Sequence, residues 1–83
     1  MNFDHKAAGQ TIAALRTEKG LSQEVLSGLA GIARSHLSMI ETGTKQANFE
    51  TLWKLAAALD LRPSQLVEKI EERARKNAED LHP

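Results

Sequence analysis

Apolar residues recur every three or four positions along most of the chain, and no stretch alternates strictly between apolar and polar residues. This spacing places apolar side chains on one face of an α-helix, whereas a half-buried strand needs a period of two. Alanine and leucine dominate, the β-branched residues are scattered, and there are only 2 prolines. The pattern predicts an all-α fold of five short helices.

Residues with strong preferences at helix ends set the boundaries of these helices. Serine, asparagine and aspartate favour N-caps, proline favours the first helical position, and glycine favours the left-handed stop. The predicted helices are 4–19 with Asp4 as N-cap, 22–30 opened by Ser22, 33–42 stopped by Gly43, 49–59 capped by Asn48, and a fifth that begins at Pro63.

The length of 83 residues predicts a single domain. The apolar pattern supports a core over about residues 6–70. A polar helical extension is predicted over 71–83, and it either lengthens an interface or is simply solvated.

Charge limits the kind of partner. Lys and Arg number 11, as do Asp and Glu, so the formal net charge is zero. Indiscriminate nucleic-acid binding usually comes with a basic excess. Any DNA binding by this chain must therefore come from a local positive face and good geometry.

Several classes of function are excluded or disfavoured. Without cysteine there is neither a disulfide nor a thiolate metal site, and the histidines lack metal-ligand spacing. No nucleophile–base arrangement or phosphate-cradling glycine loop is present. No apolar run reaches the roughly 18 residues of a membrane span, and residues 1–6 do not resemble a signal peptide. We expect a cytoplasmic protein that is not an enzyme and needs no cofactor or metal.

The second and third predicted helices have the spacing of a helix-turn-helix. Two helices cross steeply only where certain positions are small or apolar. With Gln23 as the first position, the fifth is Ser27, which is small, and the ninth is Gly31, which suits a turn with positive φ. The internal positions four, eight, ten, fifteen and eighteen are all apolar: Leu26, Ala30, Ile32, Leu37 and Ile40.

The segments Leu21-Ser22-Gln23-Glu24-Val25-Leu26, Gly31-Ile32 and Arg34-Ser35-His36-Leu37-Ser38-Met39-Ile40-Glu41-Thr42-Gly43 resemble the λ-repressor/Cro-type family of bacterial and phage regulators. The resemblance covers about residues 6–70 and implies a five-helix λ-repressor-like DNA-binding domain. The chain is also similar to restriction-modification controller proteins and DNA-binding antitoxins. It departs from the family at Ala33, where a capping residue is usual, and at Ser27 and Ala47.

The resemblance implies that helix 33–42 reads bases in the major groove. In members of the family, the residues at the positions of Arg34, Ser35 and Met39 point at base edges. Arg34 has the geometry to take guanine O6 and N7 together. His36 is expected at a base or a phosphate, and Ser38 shares the outward face. The simpler alternative is a solvated helix face.

Phosphate contacts are expected on both sides of this helix. A helix N-terminus offers free N–H groups and partial positive charge to a phosphate. Asn48 is either a second such contact or a plain cap. The candidates are Ser22 and Gln23 at the start of the second helix, Thr44, Lys45 and Gln46 in the following loop, and Asn48.

The remaining predictions concern contacts within the protein and between two copies of it. The resemblance implies a partly buried ion pair between Arg16 and Glu41. A single helix 33–42 makes too little contact with DNA for tight binding at zero net charge. A homodimer on palindromic half-sites about 34 Å apart is therefore expected. Trp53 is either core edge or interface, with the interface favoured. The predicted dimer interface is Trp53, Leu66, Val67 and Ile70, of which the last three serve either the core or the partner.

The sequence therefore predicts a sequence-specific regulator that binds double-stranded DNA. The alternative is an antitoxin-like or other interaction module whose main partner is a protein.

Overall fold

The computed structural model describes residues 3–80, which form five helices and no strand. The all-α prediction is confirmed. Residues 1–2 and 81–83 lie outside the described part, so the predicted extension 71–83 is described only to residue 80 and His82 is not covered. The helices are α1 Ala7–Glu18, α2 Gln23–Ala30, α3 Arg34–Thr42, α4 Phe49–Ala58 and α5 Pro63–Asp80.

One apolar core lies where the five helices meet. The packing partners are α1 with α3 and α5, α2 with α3 and α4, and α4 with α5. Burial of each large aliphatic side chain contributes about 1.5–3 kcal/mol relative to leaving it exposed. The largest fully buried side chains are Ile12, Leu26, Leu37, Ile40, Leu55, Leu59 and Leu66.

The helix ends of the central region follow the predicted capping residues. Ser22 Oγ accepts from the Val25 backbone N–H at 3.1 Å, and α2 begins there. Ala33 precedes α3 and makes no side-chain cap bond, which leaves this helix start weaker by about 1 kcal/mol. Gly31 and Gly43 end α2 and α3 in the left-handed region, with φ of 71° and 81°.

The start of α1 differs from the prediction. Asp4 is not its N-cap, because the helix begins at Ala7 and Lys6 occupies the cap position without a side-chain bond. Asp4 Oδ1 accepts instead from the Lys6 backbone N–H at 2.9 Å, across a tight turn. Its other oxygen accepts from Asn77 Nδ2 at 2.8 Å. The carboxylate therefore joins the two ends of the described chain rather than capping a helix.

Gly9 allows α1 to approach α3 closely. A Cβ at this position would collide with the Ile40 carbonyl oxygen and lie 2.8 Å from the Glu41 carbonyl oxygen. Both obstacles are backbone atoms, which cannot move away by changing rotamer. The distance between α1 and α3 therefore depends on a residue without a side chain.

The polar end of α5 is not an isolated solvated tail. The helix continues without a break to Asp80 and packs along α1. Asn77 Nδ2 donates to Asp4 Oδ2 and to Gln10 Oε1, both at 2.8 Å. No helix within residues 3–80 has the length and apolar character needed to cross a membrane.

Candidate nucleic-acid interface

The α2–α3 unit buries one side of each helix and leaves the other side outward. Leu26, Leu37 and Ile40 are fully buried. Ser27 is buried in the crossing, where its small side chain donates to the Glu24 carbonyl oxygen at 3.1 Å. With these positions inward, the first turn of α3 faces solvent.

The predicted base-reading residues all keep some accessible surface on α3. Arg34 and Ser35 are exposed at the start of the helix, while His36, Ser38 and Met39 are half-buried. The exposed pair lies at the N-terminal end, where the helix dipole is positive. This end therefore has the exposure and the charge to meet an anionic partner.

Arg16 on α1 and Glu41 on α3 form a bidentate salt bridge. Arg16 Nε lies 2.8 Å from Glu41 Oε2 and Nη2 lies 3.0 Å from Oε1, while Nη1 donates to the Leu21 carbonyl oxygen at 2.9 Å. The hydrogen bonds to Glu41 raise the pKa of Arg16 above its ordinary value, against the opposing effect of desolvation. The Glu41 side chain is 6% exposed, so its charge depends on these partners.

Gln23 links this ion pair to Arg34 in the first turn of α3. Its Nε2 donates to Glu41 Oε1 at 2.9 Å. Arg34 Nη1 lies 3.5 Å from Gln23 Oε1, a long and weak contact. Gln23 was predicted from the sequence as a phosphate contact, and the structure shows its amide engaged within the protein at both ends. Its partner at Glu41, on the last turn of α3, was not foreseen.

The loop after α3 is held by several hydrogen bonds. The hydroxyls of Thr42 and Thr44 lie 2.9 Å apart, and the Lys45 backbone N–H donates to the Met39 carbonyl oxygen at 3.1 Å. Gln46 Nε2 donates to the His5 carbonyl oxygen at 2.7 Å. The Lys45 side chain stays exposed, whereas the Gln46 amide is already engaged with the N-terminal segment.

Asn48 acts as the cap of α4. Its Oδ1 accepts from the Thr51 backbone N–H at 2.8 Å. The sequence left two roles open for Asn48, a helix cap and a phosphate contact, and this hydrogen bond shows that it is a helix cap. A phosphate contact at this position remains a prediction.

The predicted interface residues divide into surface and core. Trp53 is 56% exposed and Val67 is 45% exposed, while Ile70 is half-buried. Leu66 is fully buried, so its assignment to an interface is wrong. The side chain fills the junction of α5 with the core and has no surface left for a partner.

An apolar groove surrounds Trp53. Phe49, which was not among the interface residues predicted from the sequence, is 68% exposed, and its ring lies 6.1 Å from that of Trp53. The sequence signal that could have identified it is the i, i+4 spacing of two aromatic residues on α4, on a different face from the buried Leu55. The groove is lined by Phe49, Trp53, Arg62, Pro63, Ser64 and Val67.

Metal ligation has no support among the described residues. Within 3–80, no three His, Asp or Glu side chains converge as a metal site would require.

Residues 12–66 match the HTH_3 family, described as helix-turn-helix. The HTH-type transcriptional regulator y4dJ of Sinorhizobium fredii is 37% identical over 67 residues, which cover 81% of this chain and 87% of that protein. The restriction-modification controller protein C.AhdI of Aeromonas hydrophila is similar in structure, with a TM-score of 0.73 and 43% identity, over 76% of this chain and 96% of that one. SinR, a master regulator for biofilm formation solved in complex with DNA, has a TM-score of 0.67 and 38% identity, over 72% and 97% of the two chains.

Proposed function

Because the chain belongs to the HTH_3 family of helix-turn-helix transcriptional regulators, we propose that it binds specific double-stranded DNA through α3 as a homodimer. The observation that carries this proposal is the first turn of α3. Arg34 and Ser35 are exposed there, while Leu37 and Ile40 anchor the opposite face. A helix so presented fits the major groove, whose width admits one helix.

Arg34 supplies the main base contact in this proposal. Its guanidinium has no carboxylate partner within residues 3–80, where the ion pairs use Arg16, Lys19 and Lys54. Its contact with the Gln23 amide is weak enough to be exchanged for guanine. Ser35, Ser38, His36 and Met39 complete the contact face.

Phosphates on either side of the groove are held by two segments. The free N–H groups at the start of α2, around Ser22 and Gln23, bind one phosphate. The exposed Lys45 in the loop after α3 binds another, assisted by Thr44. SinR, which is similar in structure at 38% identity, was solved in complex with DNA, and this supports DNA binding by the present chain.

A second copy of this chain covers the apolar groove around Trp53. Phe49 and Trp53 are largely exposed, and Val67 is nearly half exposed, in one concave surface. Exposed aromatics of this kind are enriched in interface cores. At zero net charge a single α3 gives little affinity, and a two-fold dimer doubles the contacts on a palindromic site.

The test is selection from random double-stranded DNA by the purified protein at about 150 mM salt, where non-specific binding is weak. We expect a palindrome with half-sites about 34 Å apart. Arg34→Ala should cost about 1–3 kcal/mol and relax preference at one base pair per half-site. Lys69→Ala, on the exposed side of α5, is the matched control. Recovery of no consensus would overturn the proposal and favour a partner protein at the groove.

A further inference from the structure

The segment that precedes α1 lies against the loop that follows α3. The Gln46 amide donates to the His5 carbonyl oxygen at 2.7 Å. The Lys6 stem lies beside Gly43, where a Cβ would be 3.5 Å from both Lys6 Cγ and the His5 carbonyl oxygen. The start of α1 and the end of α3 therefore form one continuous surface, although they are far apart in the sequence.

This surface carries two lysines with exposed side chains. Lys6 and Lys45 belong to none of the ion pairs within residues 3–80. The stem of Lys6 rests on backbone at Gly43, which limits its freedom while the ammonium stays in water. A compact ammonium in such a position is suited to a phosphate as a point charge.

Asn77 fixes the segment from the far end of α5. Its Nδ2 donates to Asp4 Oδ2 and to Gln10 Oε1, both at 2.8 Å. The other Asp4 oxygen accepts from the Lys6 backbone N–H at 2.9 Å. A single side chain on α5 thus acts on the backbone of Lys6 through Asp4.

We propose that Lys6 contacts a DNA phosphate beside the one bound by Lys45, and that Asn77 is a positioning residue that holds Lys6 in place through Asp4. The inference rests on the proposed function, since it adds a contact to the DNA-facing side of α3. It also assigns a role to the polar end of α5, which lies outside the family match at residues 12–66.

The first experiment compares Lys6→Ala with the wild type by titration of the selected DNA between about 50 and 200 mM salt. Loss of one phosphate contact lowers the slope of log affinity against log salt by about 0.9, which is about a fivefold loss of affinity at 150 mM. The loss should be equal for specific and unrelated sequences. Lys69→Ala is the matched control, because this exposed lysine lies on α5, and it should change neither quantity.

The second experiment tests the positioning role by combining substitutions. Asn77→Ala should lower the affinity less than Lys6→Ala does, with a reduced salt slope. The double variant Lys6→Ala/Asn77→Ala should bind no more weakly than Lys6→Ala alone. In a Lys45→Ala background, Asn77→Ala should retain its full effect. Far-UV circular dichroism and thermal midpoints check that each variant folds.

The outcomes separate the inference from the function on which it rests. If Lys45→Ala flattens the salt dependence and Lys6→Ala does not, the inference is wrong and the DNA-binding proposal stands. Full additivity of Lys6→Ala and Asn77→Ala would overturn the positioning role. If the wild type selects no sequence, the proposed function itself fails.

Discussion

The α2–α3 unit and the contact between the two ends of the described chain are held together in different ways. In the unit, buried apolar side chains such as Leu26 and Leu37 belong to the core to which all five helices contribute. At the ends, polar groups at the surface join residues 67 and 73 positions apart. Apolar packing in the core should govern stability, whereas the polar contact at the surface should govern where a few surface groups lie.

The largest expected effect is at Gly9, where α1 meets the last turn of α3. Gly9→Ala places a methyl group against the carbonyl oxygens of Ile40 and Glu41, so the two helices must separate. We expect a loss of about 3 kcal/mol in the free energy of unfolding, the upper end of the range for overpacked sites. Urea denaturation measures it.

Gly28 provides the control for this substitution. It lies in the interior of α2, and a Cβ there would meet nothing within 4 Å. Gly28→Ala should therefore stabilise the protein by about 0.5–1 kcal/mol through helix propensity. Equal effects at the two glycines would show that the close approach of α1 to α3 does not limit stability.

The second-largest expected effect concerns the ion pair between Arg16 and Glu41, which joins α1 to the α2–α3 unit. Arg16→Met leaves the nearly buried Glu41 carboxylate with Gln23 alone. Loss of one partner from a fully buried pair costs about 3–5 kcal/mol. Because Arg16 is 18% exposed, we expect about 2–3 kcal/mol, again by urea denaturation. Lys54→Met is the matched control, since its pair with Glu50 is exposed, and a similar loss there would contradict the interpretation.

The smallest effect concerns Asp4, at the contact between the chain ends. Hydrogen bonds from Asn77 and from the Lys6 backbone hold the pKa of Asp4 below its ordinary value of 3.8. A carboxyl group with a lowered folded-state pKa adds stability above its unfolded-state pKa, and this stability is lost as pH falls through the folded value. Near the surface the contribution should be below about 1 kcal/mol.

The measurement follows unfolding of the wild type and Asp4→Asn between about pH 5 and pH 2, a window set by the ordinary and lowered pKa values. The asparagine side chain keeps an acceptor but does not titrate. The wild type should lose more stability on acidification than the variant does. Parallel curves would show that Asn77 and Lys6 do not favour the ionised form.

The sequence was informative where structure depends on local spacing. The apolar positions, the Ser22 cap and the glycines at 31 and 43 follow from periods and backbone preferences that act within a few residues. The five helices and the α2–α3 unit were therefore predictable. The placement of Arg34 and Ser35 at the exposed start of α3 follows from the same spacing.

Contacts between distant segments were not predictable in this way. The role of Gly9 depends on the backbone of α3, and Asp4 does not cap α1 but accepts from Asn77, 73 positions away. Leu66 and Val67 are adjacent in an apolar stretch, yet only the packing of α5 decides that one is buried and the other exposed. None of these leaves a periodic signal in a single sequence.

The groove around Trp53 has a consequence for following assembly in solution. Trp53 is the single tryptophan of the chain, and α3 has none. Indole emission shifts to shorter wavelength when water leaves the ring, so intrinsic fluorescence reports directly on the covering of this groove. Labelled DNA reports on α3 by a separate signal. The proposed self-association and DNA binding can thus be followed by two separate optical signals in the unmodified protein, and the order in which they occur is open to direct measurement.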